Sequence, residues 1–265
     1  MTNQTTPETS EEAFLASYNP REYESIALTA DIVILTIRNG EFCVLLVKRG
    51  GHPEKGKWAL PGGFVNPDEN ADEAAWRELK EETNLDVKRA WLEQLKTYSN
   101  PNRDPRMRVV TTAYLALLPN AGTPVGGDDA VEAHFFPVRD IFNPEEGEEG
   151  IQLAFDHEMI VRDGLERAAS KLEYTPLAAS FLEQPFTLAD LRRVYETVWG
   201  TKLHPANFRR KVLTTPGFVE AAGRKGVSQF ESGRSADLYV SGETTLLHPA
   251  ILRTGFGQQD SEETL

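Results

Sequence analysis

The sequence predicts an α/β protein: an α/β/α sandwich around a mixed sheet, followed by a small C-terminal winged helix-turn-helix domain. Three observations lead there. Residues 29–38 (TADIVILTIR) and 41–49 (EFCVLLVKR) are apolar, β-branched runs separated by Asn39-Gly40, a strong short-hairpin signal. Residues 61–85 turn a Pro-Gly-Gly corner into a glutamate-rich helical pattern. From Thr187 the chain changes to two short helical patterns joined by a glycine-containing turn, then two strand-like runs. At 265 residues there is room for one medium domain and a smaller one. The expected division is a tail over 1–18, a first domain over 19–150, bridging helices over 151–184, a second domain over 185–241 and a tail over 242–265.

Residues 1–18 are polar at first, with one helical turn expected around residues 11–15. The two runs of the hairpin carry apolar residues on both faces, which places the pair centrally in a sheet. Residues 50–56 (GGHPEKG) form a loop, and residues 90–99 and 108–118 (RVVTTAYLALL is its core) read as further strands. The loop between them, residues 100–106 (NPNRDPR), holds Arg103, Asp104 and Arg106 over the expected cleft. It is either a solvated turn or a cationic contact to a phosphate or ribose. Residues 126–132 form a turn, and 133–137 (AHFFP) an edge strand ending at Pro137. The acidic run 145–149 is a solvated loop or a further metal ligand. Residues 156–172 return to helical period with Asp156 as N-cap, and residues 176–182 form a short bridging helix. His157 either takes a packing or capping role or reaches the cleft rim.

The central stretch is PGGFVNPDENADEAAWRELKEETNL. At 100° per residue Glu78, Glu81 and Glu82 share one arc of about 100°, with Ala75, Trp76, Leu79 and Thr83 on the neighbouring arc. One side can face a core while the other gathers carboxylates that repel one another unless a cation neutralises them. A hard, oxygen-seeking Mg²⁺ or Mn²⁺ suits them, because it keeps waters that phosphate oxygens displace. Gly62 and Gly63 let backbone approach the same ion or its ligand.

The spacing Gly63, Glu69, Arg77-Glu78-Leu79, Glu81-Glu82 resembles the signature of the Nudix hydrolases. Asn84 stands where that family has glycine; asparagine tolerates positive φ, so a helix C-cap is still expected there, followed by aliphatic Leu85. The resemblance implies that Glu78, Glu81 and Glu82, with the Gly62 carbonyl, hold one to three divalent ions beside a diphosphate. It implies catalytic roles for Glu78, Glu82 and Arg77, with Glu78 either ligand or base, Arg77 orienting a glutamate and Glu69 structural. Arg49, Gly62, Gly63, Arg103, Arg106 and His157 are the candidate ligand contacts.

The formal charge of −13 excludes a uniformly basic nucleic-acid coat. The charge is divided, however: residues 181–240 hold nine basic and six acidic residues, whereas residues 1–180 hold 18 basic and 31 acidic. The single cysteine, Cys43, has no internal disulfide partner and reads as core filler in a reduced compartment. With neither a leader pattern nor a run of 18 apolar residues, a soluble cytoplasmic protein without a membrane partner is expected.

In the second domain Thr187-x-x-Asp190 is a capping box, Gly200 closes its helix and Pro205 opens the next. This second helix would present Asn207, Arg209, Arg210 and Lys211 to a major groove, with Lys202 before it. Arg224, Lys225 and Arg234 fall in the basic loop GRKGVSQFESGRS, expected as a wing between strands 218–222 and 236–240. A dimerisation or substrate-covering module is the alternative reading. A double-stranded operator contacted by so few cations calls for a two-fold dimer and a palindromic site.

The whole arrangement is similar to the Nudix-related transcriptional regulators of bacterial NAD metabolism over roughly residues 18–241. KGKWALPGGFV, the DPR at 104–106, FDH at 155–157 and FTLADLRRVYE followed by NFRRK carry that likeness. The likeness implies a homodimer that senses ADP-ribose and represses NAD biosynthesis or salvage genes. Regulators of the same class answer to sugars such as arabinose. The intact carboxylate set keeps a second activity open, a Mg²⁺-dependent ADP-ribose pyrophosphatase giving AMP and ribose 5-phosphate.

Overall fold

The computed structural model describes residues 10–83, 90–119, 124, 130–144, 150–230 and 234–253. The expected cap at Asn84 with Leu85, the first part of the 126–132 turn, and the acidic run 145–149 lie outside the described residues.

The hairpin forms as its sequence requires. Strands β1 (Ala27–Arg38) and β2 (Glu41–Arg49) meet at Asn39 and Gly40, with φ of 52° and 78°. Positive φ at both positions is the turn whose twist matches two paired strands. β1 pairs β2 only from Leu35 to Arg38; before that the two strands diverge. The gap is filled by β3 (Trp58–Ala59), which pairs β2, and β4 (Gly62–Phe64), which pairs β1. The Pro-Gly-Gly corner is thereby seated inside the sheet. On its other edge β1 runs parallel to β6 (Val109–Leu117), which is bordered by antiparallel β5 (Trp91–Tyr98).

Both faces of β1 are covered, which explains its near-continuous apolar run. Ile32 and Ile34 pack with Ala74, Ala75 and Leu79 of α2 (Ala71–Thr83). Val33, Leu35 and Ile37 pack on the side of α4 (His157–Tyr174), where Gly164 lies against Val33. On α2 the buried arc includes Ala74 in place of the expected Trp76, which is 36% exposed. An indole does not fit so close to the sheet, and two alanines bring the helix near.

Several elements depart from expectation. β7 (Ala130–Pro137) starts earlier than 133, because Ala130 and Glu132 find partners in Arg49 and Lys48 of β2. A short helix α3 (Val138–Phe142) follows Pro137, and the N-terminal turn is a helix, α1 (Glu11–Ser17), capped by Ser10. Asp156 precedes α4 but does not cap it through its side chain, which Arg103 occupies. Residues 242–253 are not a free tail. Leu247 and Ile251 are buried, and their N–H groups satisfy the carbonyls of Tyr174 and Glu173 in the last turn of α4.

After a 3-10 turn (Pro176–Phe181) comes a three-stranded sheet, β8 (Phe186–Thr187), β10 (Ala236–Ser241) and β9 (Val219–Gly226), with α5 (Leu188–Trp199) and α6 (Pro205–Thr214). The capping box at Thr187 and Asp190 is formed, Gly200 sits at φ 64°, and Pro205 opens α6. Buried Asp190 also accepts from the Gln229 N–H and the Ser228 hydroxyl, so the residues after β9 are tied to the head of α5. Tyr195 and Phe208 pack ring to ring at 5.4 Å between the two helices. The apolar cluster is continuous from Val33 and Leu35 through Ile160, Phe181 and Leu191 to Phe208 and Val212. The two units therefore share one core. No described helix is long and apolar enough to cross a membrane.

Candidate functional site

The cleft is built at the splayed end of the hairpin. Gly62, at φ 152°, is pressed against β1: an added Cβ would lie 2.3 Å from the Ala30 carbonyl oxygen and 2.7 Å from Asp31 Oδ1. At Gly63 an added Cβ would lie 2.4 Å from Glu78 Oε1. These two glycines clear the space in which the α2 carboxylate meets the corner.

Arg77 holds the α2 acids in place. Its guanidinium donates to Glu69 at 2.7 and 3.1 Å, to Glu78 at 2.7 Å and to Glu81 at 3.4 Å. Glu69, which also accepts from the Asn66 N–H, is held down to a pKa of about 2 by the Arg77 hydrogen bonds above all. Arg77 is raised by the same partnership. Glu78 behaves differently: burial drives its pKa up, against the pull of Arg77, and the charges of Glu81 and Asp31 push it further. The Glu82 side chain lies outside the described residues.

Asp31 is a member of the site that the sequence reading missed. It sits in the apolar run of β1, is buried, and its Oδ2 has no hydrogen-bond partner among the described residues, with Arg103 Nη2 at 3.6 Å. The only signal was an isolated acid within a strand otherwise apolar on both faces. Arg103 itself is 5% exposed and makes a bidentate pair with Asp156 at 2.7 and 3.0 Å. It is a buried strut between the 100–106 loop and α4 rather than an open contact. His157 takes the packing role rather than a ligand contact at the rim: it is buried, its Nδ1 accepts the Leu60 N–H at 2.9 Å, and burial lowers its pKa. Both residues position the corner from beneath.

Open cations remain on the rim. Arg106 is 45% exposed, is fixed by Asp104 at 2.7 Å, and lies 5.8 Å from the Phe64 ring. Arg49 lies over Phe155 at 4.7 Å, and its pKa is lowered by burial first and by the charge of Arg106 next. Two guanidiniums close enough to repel form a place for a polyanion. Among the described residues no three acids, histidines or cysteines already converge on one point. Glu78, Asp31 and Glu81 each bring carboxylate oxygens to this side of the corner, the donor type a hard divalent ion takes.

Because the folded state holds Glu78's pKa above its unfolded value, the native protein binds the extra proton. Stability is lost as pH rises from the ordinary carboxylate range through the raised value. Glu78→Gln is therefore expected to raise Tm at pH 7 in metal-free buffer, by about 2 °C. That gain should vanish below about pH 4, where the unfolded carboxyl is also neutral. Calorimetric melts of both proteins at the two pH values check this.

The second surface is on the winged unit. Phe208 and Val212 bury one side of α6, leaving Asn207, Arg209 and Arg210 exposed on the other. Lys211 is half-buried, with its pKa lowered by desolvation, so it stands at the edge of this face. Arg224 and Lys225 are exposed but lie on β9, not in the loop: β9 extends because Lys225 pairs with Asp237. Arg234 is exposed beside β10, and Lys202 reaches out before α6 with Nζ 3.9 Å from Glu196. Arg209, Arg210, Arg224, Lys225 and Arg234 make no ion pair among the described residues.

Comparison with known proteins follows the same division. Residues 27–156 match the NUDIX domain family, and residues 178–240 match the NrtR DNA-binding winged helix domain family. An ADPR responsive transcriptional repressor, NtrR, of Acinetobacter baylyi is 33% identical over 232 residues, covering 87% of this chain and 88% of the repressor. An ADP-ribose pyrophosphatase of Methanocaldococcus jannaschii is 44% identical over 120 residues, 45% of this chain and 64% of that protein. The crystal structure of Shewanella oneidensis NrtR complexed with a 27mer DNA superposes with a TM-score of 0.67 at 32% identity, over 81% of this chain and 93% of that one. The chain belongs to the NrtR-like family, in which a Nudix domain is joined to a winged helix DNA-binding domain.

Proposed function

We propose that this chain is an ADP-ribose-sensing transcriptional repressor of NAD biosynthesis or salvage genes, acting as a homodimer on palindromic DNA. The observation that carries the reading is a pair of exposed arginines on α6, Arg209 and Arg210, with no ion pair among the described residues, on a helix whose Phe208 and Val212 belong to the same apolar core as the cleft domain. The repressor of Acinetobacter baylyi, alike over most of both chains, supports the choice of effector.

In the cleft Arg49 and Arg106 bind the diphosphate, and the Gly62-Gly63 backbone lies alongside it. Glu78, Glu81 and Glu82, with the Gly62 carbonyl, would hold Mg²⁺ or Mn²⁺; a divalent ion there neutralises the diphosphate and lowers the pKa of bound water. Arg77 keeps Glu78 and Glu81 oriented toward that site, while Arg103 and His157 fix the corner from below. On the winged unit the cations of α6 and β9 contact phosphates and base edges. The test is a shift of DNA from the gene's own genomic neighbourhood at low salt. A slower complex that ADP-ribose alters is expected, and no complex with any such fragment would end the proposal.

A second reading, compatible with the first, is supported by the complete carboxylate set and by the likeness to the Methanocaldococcus enzyme. It is Mg²⁺-dependent hydrolysis of ADP-ribose to AMP and ribose 5-phosphate, by which an effector would be consumed at its own sensor. Glu82→Gln is expected to lower AMP release at least tenfold, an effect of the order seen when a group that supports metal-assisted chemistry is lost. Unchanged turnover in that variant would remove Glu82 from the mechanism.

A further inference from the structure

A second concavity, about 520 Å³ in volume, opens on the seam between the two units, well away from the Pro-Gly-Gly corner. The hairpin gives it Gly40 and Phe42, α3 gives it Arg139, and the winged unit gives it Arg193, Trp199 and Lys202. Its charges are not all satisfied. Arg139 pairs with Glu41 at 2.5 Å. Buried Glu196 is engaged by Arg192 and by the Leu203 N–H, each at 2.9 Å. Two further cations line the cavity. Arg193 Nε is buried with no hydrogen-bond partner among the described residues, and its guanidinium lies over Gly40, where an added Cβ would be 3.0 Å from Nη2. Lys202 is 80% exposed and makes a long ion pair with Glu196, Nζ at 3.9 Å.

Arg193 lines the cavity with its charge unpaired among the described residues, and the planar fork of arginine suits an oxyanion. Phe42 and Trp199 add an apolar wall beside it, which a bare inorganic ion would not use. We propose that the seam is a second effector site that holds an organic phosphate, with the phosphate on Arg193 and Lys202 and the organic part against Phe42 and Trp199. Across the seam the Thr197 hydroxyl donates to the Gly40 carbonyl at 3.4 Å. A ligand that bridges the hairpin and α5 changes the balance between arrangements of the two units, and α6 moves with α5. This inference does not depend on what the cleft binds.

AMP serves as the probe, titrated calorimetrically into the full chain in EDTA, with inorganic phosphate in parallel. AMP is expected to bind at least tenfold more tightly than phosphate. Arg193→Met is expected to weaken AMP at least tenfold, and Lys202→Met, at an exposed position that leaves folding intact, several-fold. The proposal is overturned if AMP gives no heat at millimolar concentration. It is equally overturned if both variants bind AMP like the parent, or if phosphate binds as tightly as AMP.

Discussion

Alanine at Arg209 and Arg210 together should lower affinity for operator DNA about a hundredfold, with the fold intact. Both side chains are exposed and make no ion pair among the described residues, so neither contributes to the core. The helix is held by Phe208 and Val212 on its opposite side, and these stay. Each cation that touches a phosphate releases a counterion, so the slope of log K against log salt should shrink by about 2 in the double variant. Lys211→Ala should cost less DNA affinity, because that side chain is half-buried at the edge of the face. Fluorescence anisotropy at several salt concentrations measures both quantities. Equal affinity and equal slope would exclude α6 from the interface.

Gly62→Ala should destabilise the protein by about 4 kcal/mol, lowering Tm by about 10 °C, and abolish ligand binding in the molecules that remain folded. Three things combine at this position. The backbone has φ 152°, an added Cβ meets the Ala30 carbonyl oxygen at 2.3 Å, and it meets Asp31 Cα at 2.8 Å. Both neighbours are backbone of the central strand, so nothing cheap can move. Gly63→Ala provides the contrast. There the added Cβ meets the end of the Glu78 side chain, which can swing away. That variant should keep most of its stability and lose the placement of the carboxylate. Thermal melts that place Gly62→Ala at the parent Tm would contradict the close approach of the corner to β1.

Much of this was legible beforehand because it is local. The Asn39-Gly40 turn, the Thr187–Asp190 box, left-handed Gly200 and Pro205 at the start of α6 each follow from the conformational chemistry of a few adjacent residues. Within α2 the spacing of Arg77 and Glu81 put their contact within reach, since helical neighbours four apart share a side, whereas Glu69 lies in the turn before the helix and meets Arg77 through the fold of that turn. What stayed hidden is set by partners distant in sequence. Asp31 is part of the cleft because β1 passes under Gly62; within its own run it is one acid among apolar residues. Arg103 looked like an open cation in a polar loop, and only the fold brings Asp156 to it, 53 residues away. β8 has two residues and exists because β10 is beside it. The docking of 242–253 likewise depends on the unpaired carbonyls at the end of α4.

Ligand in the Nudix cleft and DNA on the winged unit are expected to be energetically linked through the shared core. Linkage is reciprocal, so it can be read from the ligand side alone. The measurement is the dissociation constant of ADP-ribose for the full chain with Mg²⁺, taken with and without saturating operator DNA. The two constants are expected to differ by a factor of about 5 to 150. Equal constants would contradict it, because a cleft indifferent to bound DNA cannot control it.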